Sequence, residues 1–474
     1  MSKLPYTLVI LLFLLVSMSS FAEENSSQTP ASQETEAETP ASTPPAEEYK
    51  FELSEIEKKP YHIGGYLEFR PILYGLDKDN AIYKLKFVNL KEGKTIEDYD
   101  GRIWLEGSYE KGIVGVFLKT NLSLNHTYQG WNDQTKVYEG YASLKPSSSL
   151  TIDLGKRVFN WGKGYAWNPV AFVDRPKDPD DPELPRQGYI AATADYIKSF
   201  KEGPLKTLSL SPILFPVYDH VNDTFGKLNK LNFAGRIYGL LYDTDIDLLF
   251  LVGGSKTNRY GFDFSRNITT NLEAHGEFAF ISHQQKTSID SSGNTSKTTS
   301  DAESFLLGLR YLSSMDTTYI LEYYHNAPGY SSSELEDFFS FSGNAVDTFL
   351  SPGGKTQKEK QKAKQQFIKA ETLFRGNYGG MNPGKDYLYL RISQKEPFNI
   401  LYFTPAITTI MNLDDGSFSI SPELLYEGIK NWEFRLKGMA LVGHKLTDFG
   451  EKQNDYRVEF RVRYYFQLDT LKIP

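Results

Sequence analysis

Cysteine is absent from all 474 residues. Its absence excludes disulfides, thiolate metal centres, iron–sulfur ligation and covalent haem attachment, and it rules out anchoring through a lipidated cysteine. No cofactor, metal or electron-carrying role is expected. Long apolar runs are scarce as well. Beyond the first 22 residues the longest candidate, 246–252, already contains Asp247 and falls far short of the roughly 20 residues a membrane helix needs. Positive charge is not in excess: the net charge is −8, without the concentrated basic patch of a nucleic-acid binder. Histidines are few, at 62, 126, 220, 275, 283, 325 and 444. They fall on different segments, with no His-x-x-Glu-His or Gly-x-Ser-x-Gly pattern. His325 and Ser331 are near each other in sequence, but nothing positions them, so an enzyme is not expected.

What the chain does have is alternation. In 456–466, Tyr456, Val458, Phe460, Val462, Tyr464 and Phe466 fall on one face, and Arg457, Glu459, Arg461 and Arg463 fall on the other, because successive side chains of a strand point to opposite sides. Similar segments recur along the chain. A membrane protein without apolar helices must close its strands into a barrel, since no backbone group can be left unpaired in lipid. The aromatic share of 14% is enough to populate the two interfacial girdles of such a barrel. The expected fold is therefore all-β, a transmembrane antiparallel up-and-down barrel of about 18 strands, with 16 as the alternative because 205–212 and 258–265 are the least periodic segments.

Connections between these segments alternate between short and mostly longer, with two short ones, 255–258 and 412–416, at positions of the longer class. The short ones, such as 111–112, 243–245 and 428–431, are expected to be periplasmic turns. The long ones, at 75–98, 126–135, 161–187, 213–230, 283–303, 326–384 and 445–454, are expected to be extracellular loops. This parity places both termini in the periplasm. Ahead of the barrel, 1–22 reads as a cleaved signal peptide, with Lys3, an apolar run over 6–18, and small residues Ser20 and Ala22. Residues 23–60 form a Pro/Ser/Thr/Glu-rich segment with no Lys or Arg before residue 50. Such a composition stays disordered. It is either a simple spacer or a site for a periplasmic protein partner, and the barrel is expected to occupy 61–474.

Carrying the strand phase forward places Glu68, Arg70, Arg102, Glu277, Glu322, Arg391, Glu433 and Glu459 inside, together with the candidate pore-lining residues Arg157, Arg435, Lys437, Arg457, Arg461 and Arg463. Arg or Lys on the lipid face at mid-membrane would cost about 2 to 4 kcal/mol. The last two strands together offer a basic ladder. That ladder is either a track for anionic solutes or one half of an Arg–Glu brace across the wall. After it in importance comes the proline-rich stretch 174–186, which carries Asp174, Asp178, Asp180, Asp181 and Glu183. Its spacing does not match an EF-hand loop. It is expected to be a constriction loop whose acids face the basic wall. In the largest insertion, 326–384, Ser333 and Glu336 have capping-box spacing, and 356–374 reads as a second helix. The two would form either a lid over the lumen or a solvated cap.

Residues 155–169 read GKRVFNWGKGYAWNP. Gly155, Arg157, Trp161, Gly162, Asn168 and Pro169 resemble a segment of the porin-like Gram-negative outer-membrane barrels, in which a strand end leads through Trp-Gly to Asn-Pro at the start of a loop. The resemblance covers about 15 residues and the general architecture. It implies a channel in the outer membrane, surrounded by lipid, that passes small hydrophilic solutes by diffusion. The alternative is a barrel component of an export, lipid-trafficking or electron-transfer assembly, gated or plugged by its long loop.

Overall fold

The computed structural model describes residues 60–88, 93–351, 353 and 356–468. The expected signal peptide and the acidic segment up to residue 59 lie outside the described residues. Eighteen strands form one sheet: β1 Tyr61–Leu76, β2 Thr95–Lys111, β3 Val114–Thr127, β4 Gly130–Ser147, β5 Leu150–Arg157, β6 Tyr189–Ser199, β7 Leu205–Val217, β8 Lys230–Leu241, β9 Thr244–Val252, β10 Arg259–Asn267, β11 Leu272–Ile289, β12 Thr295–Leu312, β13 Thr317–His325, β14 Asp386–Gln394, β15 Phe403–Asn412, β16 Phe418–Tyr426, β17 Trp432–Val442 and β18 Asn454–Gln467. Each pairs antiparallel with its sequence neighbours, and β1 pairs with both β2 and β18. The sheet is closed, so it has no edge strand to leave unsatisfied in lipid. The two weakly periodic segments are both strands, β7 and β10.

The outer surface is apolar where the alternation places it. Phe69 is 50% exposed, Leu154 57% and Leu307 55%, while Glu68 on the opposite face of β1 is 2% exposed. Tyr109, Tyr242, Tyr311 and Tyr402 are exposed near the short connections, where amphipathic rings suit a lipid–water boundary.

Two expected loops are shorter than the sequence suggests. Residues 126–135 are mostly strand, since β3 and β4 are joined across only Tyr128 and Gln129, and 283–303 belongs largely to β11 and β12, which turn over 290–294. Both hairpins continue past the apolar belt with polar residues on each face, such as Asn132, Asp133 and Gln134. There is no lipid there to impose alternation.

Three helices stand at the end of the barrel with the long connections: α1 Ala81–Lys86, α2 Ser332–Leu350 and α3 Gln357–Leu373, the last followed by a π-helical turn at Phe374–Tyr378. The capping box of α2 uses Ser331 and Glu334, two residues before the expected pair, and that of α3 uses Thr356 and Glu359. Ile82, Leu85, Leu335, Phe338, Phe339, Val346, Ala370, Leu373 and Tyr378 share one buried core with Ile289 at the tip of β11. Burial of these side chains at roughly 1.5 to 3 kcal/mol each holds the three helices together as a cap.

Candidate functional site in the barrel lumen

The connection between β5 and β6, residues 158–188, turns inward and crosses the lumen. It is held at three places. On the β6–β11 side it buries Trp161, Val170, Phe172 and Val173 against Tyr189, Ile213, Phe215, Ala234, Leu249, Leu251 and Ala279 of the inner wall. At this contact the strands present apolar residues inward, and on the same wall Asp247 of β9 and Asp263 of β10 take Lys163 of the loop at 2.9 and 3.8 Å. The wall is shaped to receive the loop.

The second anchor is a pair of glutamates. Glu277 of β11 accepts hydrogen bonds from the Gly164 amide (2.6 Å), the Val170 amide (3.2 Å) and Asn168 Nδ2 (2.8 Å). Glu322 of β13 accepts from the amides of Tyr165 and Ala166, and His275 Nε2 lies 2.9 Å from it. A buried carboxylate that takes several N–H donors is compensated for leaving water. Between the two acids Trp167 stacks on Tyr324 and packs against Tyr387 and Tyr389. Glycine is required at the bend. Gly162 has φ of +95°, and a Cβ on Gly164 would come within 2.1 Å of the Trp167 carbonyl oxygen. In the resemblance segment Gly155 and Arg157 thus end β5, and residues 161–169 form the bend that the wall carboxylates hold.

The third anchor is electrostatic. Across β17 and β18 the register sets Arg435 directly opposite Arg461, and like charges facing across a ladder repel. Asp181 lies between them, 2.8 Å from Arg435 and 3.5 Å from Arg461. One step along the loop, Asp180 contacts Lys437 (3.0 Å) and Arg457 (2.5 Å) and accepts from Ser421 (3.0 Å). Burial would lift both carboxyls, but the cations outweigh it: Lys437 and Arg457 hold Asp180 below the usual carboxylate range, and Arg435 and Arg461 do the same for Asp181. Asp178 has no such partner at contact distance among the described residues, and its carboxyl is raised by burial and by Asp180.

The remaining ladder residues are also matched. Arg463 meets Glu68 at 2.5 Å, Arg461 meets Glu433 at 2.8 Å, Arg435 meets Glu423 at 2.9 Å, and Arg391 meets Glu423 at 3.1 Å. Of the candidate residues named from the sequence, Asp180, Asp181, Arg435, Lys437, Arg457 and Arg461 form one contact network. Glu183 lines the space beside it. Two lie elsewhere. Arg157 pairs with Asp153 and Asp195 on the opposite wall, and Asp174 turns back on its own loop, accepting from the amides of Phe159 (2.8 Å) and Trp161 (2.9 Å). Strand phase places Glu277 and Glu322 inside but does not assign them to the site. No signal in the sequence separates them from the other inward carboxylates of the same wall, Asp247 and Asp263.

Space remains on both sides of the crossing loop. Toward the short connections, a cavity of about 750 Å³ is lined by Tyr165, Lys177, Asp181, Glu183, Arg310, Glu427 and Arg463 among others. Beside it, one of about 480 Å³ is lined by Tyr66, Trp104, Glu106, Lys119, Glu139 and Arg186, and it shares Lys177, Glu183 and Leu184 with the first. On the cap side a third cavity of about 330 Å³ is bounded by Asp178, Pro179, Asp180, Lys86, Tyr378, Phe449 and Arg457. The loop segment 178–184 is therefore the partition between the two ends of the lumen.

No family model and no curated protein matches the chain. Among solved structures it is similar to Pseudomonas aeruginosa OccK2 (OpdF) in complex with glucuronate, at 12% identity and a TM-score of 0.48 over 86% of this chain and 98% of that one. It is also similar to Pseudomonas aeruginosa OpdQ, at 10% identity and a TM-score of 0.47 over 86% and 98%, and to a Rh. blastica porin variant, at 11% identity and a TM-score of 0.40 over 86% and 100%. At such identities and scores nothing is transferred from these proteins to this chain.

Proposed function

We propose that the protein is a porin-like outer-membrane channel for passive diffusion of small hydrophilic solutes, with the end bearing the short connections and both termini in the periplasm. The observation that carries this reading is the inward loop with polar, charged cavities on both of its sides. A wall built only for strength would have no reason to keep them. Solutes pass beside the segment 178–184, where Lys177 and Glu183 present opposite charges, and contacts are weak and multiple, as passage requires. The pairing of the basic wall with loop acids supports a constriction of balanced charge over an exposed anion track. The helical cap favours a second reading, a gated barrel within a larger assembly, in which the acidic segment 23–60 would meet a periplasmic partner.

Single-channel recording of the chain from residue 23 onward in a planar bilayer, beside a variant lacking 331–380, separates the two. Steady conductance of the intact chain is the expected result. A silent intact chain that conducts only after the deletion would overturn the open channel in favour of the gated one.

A further inference from the structure

Most cations of the inner wall touch a carboxylate, but several near the cap end do not. Arg175 of the crossing loop, Lys256 in the connection between β9 and β10, and Arg259 at the start of β10 have no acid within ion-pair distance among the described residues. Aromatic faces support two of them instead. The Arg175 guanidinium stands 4.6 Å from the Tyr189 ring centre and Lys256 Nζ stands 3.8 Å from that of Phe225, and the two rings meet edge-on at 5.3 Å. Arg175 gives one hydrogen bond, from Nη2 to Thr224 Oγ1 at 3.1 Å. The Nε atoms of Arg175 and Arg259 and the hydroxyl of Thr257 are buried with no partner. Lys256, Thr257 and Arg259 line a cavity of about 460 Å³ completed by Ser282, His283 and Gln284, with no acidic residue in its lining.

We propose that Lys256 and Arg259, backed by Arg175, form a binding site for a dissolved dianionic oxyanion of the phosphate-ester or sulfate kind. Donors without acceptors, converging positive charge and a cavity lined by hydroxyl and amide groups are what such an anion requires. Burial first, and then the two guanidiniums, pull the Lys256 ammonium down to about 7, so its charge is poised to be restored by an arriving anion. Besides Arg175 and Arg259, the charged and titratable groups around this cavity are Lys227 and His283 in its lining, Tyr324 beside Arg259, and Asp301, whose carboxylate accepts from the His283 amide at 2.8 Å. The inference deepens the channel reading by naming a solute class at the cap-side mouth and rests on that reading for its purpose, although binding itself needs no conduction.

The test is calorimetric titration of the full mature chain in detergent micelles with sulfate, which stays dianionic across the useful pH range, and with acetate as the monoanion. One site is expected, binding sulfate at least tenfold more tightly than acetate, tighter at mildly acidic than at mildly alkaline pH, and weakened tenfold or more by Lys256→Met or Arg259→Met but unaffected by Lys358→Met on α3. Folding of each variant is verified by its heat-dependent gel shift. Should the Met variants not fold, Arg175→Gln and the pH dependence of the unaltered chain decide. Absence of sulfate binding, equal binding of acetate, or binding indifferent to pH and to these substitutions would overturn the site. Conductance without sulfate binding sinks the site and leaves the channel. Sulfate binding without conductance does the reverse.

Discussion

The two longest connections of the barrel, 158–188 and 326–385, are of unlike construction. The first has no core of its own: each of its buried apolar residues packs on the wall, and its polar anchors are wall carboxylates and wall cations. The second folds mainly on itself, with α2 and α3 sharing a core with α1 and touching the barrel chiefly through the tip of β11. Length alone therefore does not determine what a loop does. A loop whose partners lie in the wall partitions the lumen, whereas a loop with its own core can sit over the opening with few ties to what lies below, here a hydrogen bond from Trp167 Nε1 to Asn382 at 3.3 Å.

The largest expected effect falls on the cap. Phe338 is fully buried between Phe339 and Tyr378, and Phe338→Ala is expected to destabilise the cap by roughly 3 to 5 kcal/mol. Limited proteolysis within 326–385 should accelerate while ion selectivity of the channel stays the same. A change of selectivity would mean that the cap, through Asn382 and Trp167, helps to set the constriction.

A somewhat smaller effect is expected from Asp180→Asn with Asp181→Asn. Lys437, Arg457, Arg435 and Arg461 would then face the lumen with less compensation, and losing one partner of a buried pair costs roughly 3 kcal/mol or more. The loop should loosen, conductance should rise, and the reversal potential in a salt gradient should move toward anions. An unchanged reversal potential would mean that the loop acids do not set the charge of the constriction.

Acidification sharpens the same contrast with the least perturbation. The folded carboxyls of Asp180 and Asp181 lie below their ordinary value of 3.8. Their contribution to docking is therefore fully present above about pH 4 and is lost as pH falls through the depressed folded values. Asp178, raised by burial and by Asp180, works in the opposite sense: its protonation as pH falls favours the docked loop, and its ionisation at higher pH disfavours it. Channel traces are expected to hold steady from neutral pH to about 5 and to become noisy only below about 4. Loop opening that begins near neutrality would point to another group.

Strand number and the short–long rhythm were legible in the sequence because lipid imposes a period of two on every segment that crosses it. Legibility stopped where lipid stops. The outer halves of the hairpins β3–β4 and β11–β12 are polar on both faces and read as loops, and α1 lay unseen within a connection. The capping box of α2 was misplaced because Ser-x-x-Glu occurs twice, at 331–334 and 333–336, and spacing alone does not say which serine precedes the first helical turn. Within the site, charge signs suggested that loop acids would meet the basic wall. Nothing in the sequence indicated that Asp181 would relieve a clash between Arg435 and Arg461, since that depends on the register of β17 against β18. The amide-binding roles of Glu277 and Glu322 depend likewise on where the loop bends.

The seam between the first and last strands also bears on how the molecule is made. Arg463 reaches Glu68 across 395 positions of chain, and contacts so distant in sequence form slowly. Until the final strand is in place, β1 and β17 both present bare edges that any extended peptide could extend. Losing β18 would therefore yield no smaller barrel, but a sheet with two adhesive margins that must be shielded by whatever escorts the chain to the membrane.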